Sequence, residues 1–511
     1  MKRITLFLLT AFLLTFEAVY GQDGNSQVSY SNLALQFSEQ NYNGDPATGY
    51  FPSVANLNGF GSFLANPATI GLIEDNYFSF GLVNQSVERE NTYLGNSLIT
   101  EDNFTNLSNI GFIYKAPTEQ GSFVIGAGYN SVSDQKGITR LSARNNESTI
   151  TDQFKDPSSD YNDIAFNAYA IDWGDVNETY LESIFRIGFA EYPGITQEAE
   201  VSYETNLGEY SFFFGTEFQK DLFIGISGGL TAGNYTYRRD FLEVDDQNDY
   251  NFNFIPSDVE GDSTDIDNIL THDEIDAEIY GFTLRTGLLY KLTPNLNIGL
   301  SYLIPSTLVV NEEYYSSITT ELDDGSTPFE SDFASEEDYE YRIKKPGQLS
   351  AGLALVDIAG FDVSISGEMI DYSNLGLDLI KGNDFNFNDE VAIREQEEEL
   401  EDFMANNYKR VINYKAGIGY QVTNELKLKG GYAFFEGKSR IFEADREIYS
   451  AGISAKIAEN ITLDLNGQYS MWNDRSVAYS YLDFDTNETR AEVIDQDVSL
   501  LRIMAGIRFN F

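Results

Sequence analysis

Fourteen segments between residues 76 and 511 alternate apolar and polar side chains, and a period of two repeated that often leaves few folds open. The clearest is the last: Leu501, Ile503, Ala505, Ile507, Phe509 and Phe511 point one way, and Arg502, Met504, Gly506, Arg508 and Asn510 the other. A strand of about ten residues crosses a bilayer at a tilt, with its apolar face on lipid and its polar face on a lumen. The segments are 76–88, 108–116, 121–132, 208–218, 222–240, 276–292, 295–312, 338–356, 361–372, 408–422, 425–436, 446–457, 460–472 and 498–511. Their even number lets an antiparallel sheet close on itself. The gaps alternate in length: 117–120, 219–221, 293–294, 357–360, 423–424 and 458–459 are short, whereas 133–207, 241–275, 313–337, 373–407 and 473–497 are long. Short periplasmic turns and long extracellular loops have that asymmetry. The expected fold is all-β membrane, a fourteen-stranded antiparallel outer-membrane β-barrel with both termini periplasmic, in a Gram-negative cell.

Composition agrees with a barrel. The chain has 33 Tyr and 37 Phe but only 2 Trp, and 42 Gly, which suits aromatic girdles and close backbone approach. A mean hydropathy of -0.30 argues against a helical membrane protein, yet barrel strands are only half apolar. Residues 1–21 read as a signal peptide: Lys2 and Arg3, then an apolar run that Glu17 interrupts. Residues 22–75 lack strand periodicity and are rich in turn signals, including Gly44, Pro46, Gly59, Gly61 and Pro67, so they read as a compact plug ahead of a barrel over 76–511. The terminal Phe511 resembles the address that outer-membrane barrels present for insertion.

Charge and residue types exclude several functions. The formal charge is -49; residues 1–21 carry a net +1, which leaves -50 after cleavage. Phosphate recognition needs basic patches, so nucleic acid is not an expected partner. One histidine, His272, and no cysteine leave no nucleophile relay and no paired-imidazole metal site, so the chain does not read as an enzyme. Asp258, Glu260, Asp262, Asp265 and Asp267 are close enough to gather oxygens for a weak structural calcium, although a solvated acidic loop is the favoured reading. No other cofactor is expected. Residues 158–173 and 178–186 place Ile164, Ala168, Leu181 and Phe185 at near-helical spacings, as helices that line an apolar ligand groove or pack on the barrel rim. Residues 390–406 read as a further acidic helix with Leu400, Phe403 and Met404 on one side.

Residues 34–41, ALQFSEQN, followed by 65–72, ANPATIGL, resemble the N-terminal hatch of the FadL-type outer-membrane transporters of long-chain fatty acids and other hydrophobic compounds. Asn66, Pro67 and Ala68 match that family's Asn-Pro-Ala element, just before the first strand. The resemblance implies passive transport: a hydrophobic molecule enters from an outer groove, the hatch shifts, and the ligand leaves sideways at a kink in the third strand. Gly126 and Gly128 are the kink candidates here. An anionic fatty carboxylate would call for basic lumen residues, with Arg285, Lys291, Lys415, Lys427 and Arg502 as candidates. The alternative is a non-transporting barrel subunit of an outer-membrane secretion or assembly complex, whose partners would be other outer-membrane proteins rather than a lipid or small molecule.

Overall fold

A computed structural model describes residues 30–39, 45–48, 51, 53–155, 161–189, 191–250, 255–256, 263–325, 327, 329–334, 339–379, 387–440, 444–483 and 488–511. Residues 1–21, expected to be a signal peptide, and Asp258, Glu260 and Asp262 lie outside them.

Fourteen strands form one closed antiparallel barrel. In chain order they are β1 (Tyr77–Tyr93), β2 (Asn96–Ala116), β3 (Phe123–Asn145), β4 (Ile195–Gln219), β5 (Leu222–Val244), β6 (Ile266–Thr293), β7 (Leu296–Leu303 resuming at Ser306–Leu322), β8 (Tyr339–Lys345 resuming at Gln348–Ile358), β9 (Phe361–Asp371 resuming at Gly376–Leu379), β10 (Arg410–Gln421), β11 (Leu426–Phe435), β12 (Arg446–Ala458), β13 (Ile461–Asp483) and β14 (Glu488–Asn510). Each pairs with the next, and β14 closes on β1 from Tyr77↔Asn510 to Thr92↔Asp495. The interruptions in β7 and β8 fall at Pro305 and Pro346, which have no N–H to give the ladder.

Alternation decides what each face meets. On β14, Leu501 and Ile503 are exposed while Arg502 and Met504 are buried in the lumen. Phe212, Leu230, Phe282, Ile365 and Leu465 continue the outward apolar band. In water a belt of that extent would drive aggregation; against acyl chains it is the matching solvent. No described helix is long and apolar enough to cross a membrane. The protein is an outer-membrane barrel.

The extracellular ends run further than period-two counting foretells. β13 and β14 continue as a hairpin through most of 473–497, and β1 and β2 meet at the two-residue turn Leu94–Gly95, where both φ angles are positive. Residues 178–186 are not a helix. Leu181–Ser183 is a strand paired with Ile171–Trp173, and the turn between them is held by the Asp175 carboxylate, which accepts the Thr179 N–H and Oγ–H at 2.8 Å each. Among the described residues of 158–173, the helix covers Tyr161–Asn167; Tyr169, with φ of 63°, follows it. The acidic helix is present as Phe387–Asn407, with Leu400 and Met404 buried.

Candidate functional site

The N-terminal segment fills the barrel. It contributes α1 (Tyr30–Ser38), a turn at Pro46–Thr48, α2 (Ser62–Ala65) and a 3-10 helix at Pro67–Leu72. Asp45 ties two of its turns together, accepting from Ala47 N–H and Gly61 N–H at 2.9 Å each. Asn66 caps the 3-10 helix by accepting from Ala68 N–H at 3.0 Å, and Pro67, lacking an N–H, suits the first position of that helix. The Asn66 amide also donates to Val54 O at 2.6 Å and to Leu288 O of β6 at 3.0 Å. One side chain thus joins two plug segments and the wall.

The wall makes room where the plug touches it. Cβ atoms added at Gly287, Gly225 and Gly299 would overlap Asn66, Pro67 and Val54, and one at Gly111 or Gly128 would meet Phe60. Missing side chains there are a packing requirement set by the plug. Phe63 stacks on Phe213 of β4, with ring centroids 4.1 Å apart, and Phe60 meets the same ring at 5.7 Å.

Gly126 and Gly128 both face inward, toward Phe213 and Phe60, within the paired part of β3. The discontinuity lies just beyond them. β2 and β3 pair only from Asn109↔Asn130 to Ala116↔Phe123, and the β3–β4 register slips between Ser131 and Ser133. Toward the extracellular side the two strands are bridged by side chains: Asn106 donates to Asp134 at 2.9 and 3.0 Å, and Thr100 Oγ donates to Ile138 O at 2.7 Å. Asn130, Ser131 and Ser133 are buried there with side-chain polar atoms that have no partner among the described residues.

The four groove candidates are brought together. Ile164, Ala168 and Phe185 are buried and Leu181 half-buried in one apolar cluster with Phe154, Ile171, Phe241 and Ile269, at the extracellular mouth. Beyond the apolar band, Glu243 at the end of β5 is fully buried. It accepts from Ile150 N–H at 2.9 Å, from Gln197 Nε2 at 2.7 Å and from Thr149 Oγ. Burial pushes its carboxyl up to about 7.

Of the basic lumen candidates, Arg285 forms a bidentate pair with Glu209 at 2.6 and 2.8 Å, Lys415 pairs with Glu368, and Lys427 with Asp362. These are consumed by the wall. Arg502 instead lines a cavity of about 280 Å³ above the plug, together with Arg89, Lys345, Lys438, Arg446 and Trp472. Alternation places Arg89 inward beside Val87, one position beyond the segment 76–88, whereas Lys345, Arg446 and Trp472 lie within alternating segments and only the closed barrel shows that they share a chamber. Asp265 and Asp267 are described, and no group of three or more acidic or histidine side chains that could hold a metal occurs among the described residues.

No family model matches the chain, and no curated protein matches it. Among solved structures it is similar to the Pseudomonas putida toluene transporter TodX, with 14% identity over 92% of this chain and 99% of that one and a TM-score of 0.51. It is also similar to the Ralstonia pickettii toluene transporter TbuX (14%, 92% and 99%, TM-score 0.48) and to a Pseudomonas aeruginosa FadL homologue (11%, 92% and 98%, TM-score 0.49). The chain has the fold of the FadL-type outer-membrane channels.

Proposed function

We propose that the protein passes hydrophobic small molecules across the outer membrane without an energy source, with the N-terminal segment as gate and the β2–β3 discontinuity as a sideways exit. The observation that carries this reading is the coincidence of a filled lumen with a wall whose backbone ladder stops after eight pairs, directly above the plug. A blocked axis and a side-chain-bridged wall favour a lateral route. An apolar solute entering lipid avoids the cost of entering periplasmic water. That TodX is a toluene transporter supports the substrate class.

The test exploits the absence of cysteine. Asn106→Cys with Asp134→Cys, bridged by a short bifunctional thiol reagent, should abolish toluene uptake into proteoliposomes, and reversal of the bridge should restore it. Undiminished uptake with the bridge in place would rule out exit at this point.

A second reading, a permanently sealed barrel subunit of an outer-membrane complex, is favoured by the anchoring of the plug: two hydrogen bonds donated and one accepted by the Asn66 side chain, and a wall shaped to Asn66, Pro67 and Val54. Stoichiometric partner proteins in gently solubilised material, with no uptake by the purified barrel, would select it.

A further inference from the structure

The chamber above the plug contradicts the charge of the chain that builds it. In a protein of net charge -49, the described residues that line this cavity of about 280 Å³ include six cationic side chains and three carboxylates. Several of those charges are already matched: Lys438 with Glu39, Arg475 with Asp495 at 2.8 Å, and Lys409 with Glu436 at 3.5 Å. Among the described residues, no carboxylate lies within ion-pair distance of Arg89, Arg446, Arg502 or Lys345, and of the lining acids only Asp474 is left over.

The three guanidinium groups are held in place, and two of them keep buried N–H groups without a partner among the described residues. Arg89 is buried on β1, with Nη2 donating to Tyr203 OH at 2.5 Å, while its Nε and Nη1 have no partner among the described residues. Arg446, at the start of β12, lies over the Trp472 ring at 4.2 Å and donates from Nη2 to Ser470 Oγ at 3.4 Å, and its buried Nε has no partner. Arg502 on β14 is buried and donates from Nε to Gln85 at 2.8 Å. Buried cations without counter-charge are costly, and elsewhere in this wall they are paired, as Arg285 is with Glu209. A fork of N–H groups is the arrangement that recognises planar oxyanions. Trp472, Phe51 and Ile448 supply apolar surface in the same chamber.

We propose that this chamber is a binding site for an organic anion that carries two or more negative charges on an apolar or aromatic body. It deepens the transport reading and rests on it for direction of travel, but binding is measurable on the barrel alone. The excess of about three cations over carboxylates sets the preference for multiple charge.

The chain holds two tryptophans, Trp173 and Trp472, so Trp173→Phe leaves Trp472 as the sole indole, directly beneath Arg446. In the purified detergent-solubilised barrel, its fluorescence should change saturably with benzene-1,3,5-tricarboxylate, at least about tenfold more tightly than with benzoate, and less tightly as salt is raised. Calorimetry on the same samples reads binding independently of the indole. Arg446→Gln and Arg502→Gln, each checked for heat-modifiable gel migration, should weaken the tricarboxylate by about tenfold or more. Equal affinity for benzoate and tricarboxylate, no saturable binding by either method, or full affinity in both folded variants would overturn the proposal. Inorganic phosphate binding as tightly as the tricarboxylate would overturn the organic part and leave a small-oxyanion site. Toluene uptake separates the two readings: tricarboxylate binding without uptake sinks transport alone, whereas uptake without binding sinks the anion site alone.

Discussion

Asn66 Oδ1 occupies the space that a side chain on Gly287 would need, while the Asn66 amide donates to the carbonyl of Leu288 at 3.0 Å. Two adjacent wall residues therefore read the same plug side chain, one by making room and one by accepting a hydrogen bond. Asn66→Ala strips the partners from Val54 O, Leu288 O and Ala68 N–H, groups inside a closed barrel where an unmade bond costs about 1–3 kcal/mol. Amide exchange over residues 60–72 should accelerate on the order of a hundredfold or more while barrel strands keep their protection. Gly287→Ala should do the same by steric displacement. Unchanged exchange in both variants would show that this contact does not hold the plug.

The Glu243 site predicts a pH-dependent loop. A carboxyl raised from 4.5 to about 7 by burial favours docking fully below the unfolded value, and that contribution is lost as pH rises through the folded value. Besides its hydrogen-bond donors, the carboxylate of Asp152 faces it and raises it further. Protection of residues 147–155 should therefore fall on the order of a hundredfold between pH 5 and pH 8. Glu243→Gln should flatten the profile. A profile equally steep in the Gln variant would assign the effect to another group.

Arg285 and Glu209 are both almost fully buried and bidentately paired. Glu209→Gln or Arg285→Met alone should cost the barrel about 3–5 kcal/mol, because each strands a buried charge. The double replacement Glu209→Gln with Arg285→Met should recover much of the loss, since neither charge remains. Urea unfolding followed by gel mobility reads both, and additive losses would mean that the pair is not coupled.

On the outer face, Ile365 of β9 is exposed to lipid and its neighbour Ser364 is buried inward. Ile365→Arg should cost about 2–4 kcal/mol in a bilayer, if the residue lies near the midplane. Ser364→Ala should cost far less. Folding titrations in lipid vesicles compare the two, and equal costs would contradict the assigned lipid face.

Strand number, closure and facing were legible because each rests on local alternation: Arg502 must point away from Leu501 and Ile503 whatever the rest of the chain does. Strand ends were not, because outside the bilayer no solvent boundary enforces alternation, so β13 and β14 run on as a polar hairpin that reads as loop. The helix expected at 178–186 failed for a related reason. Leu181, Ile184 and Phe185 are spaced like a helical stripe, but a hairpin closed by Asp175 and docked on the mouth buries the same residues.

The amino-acid order by itself determined the barrel and which residues face lipid, because period two is a covalent property of extended chain. Tertiary structure alone decided which inward charges are spent and which remain. Arg285 and Lys415 meet carboxylates on neighbouring strands, whereas Arg89, Arg446 and Arg502, far apart in sequence, are brought by closure of β14 on β1 to one side of a chamber whose described residues offer too little acid to match them. Pairing along a wall and convergence on a chamber are set by register and closure, which no single strand encodes.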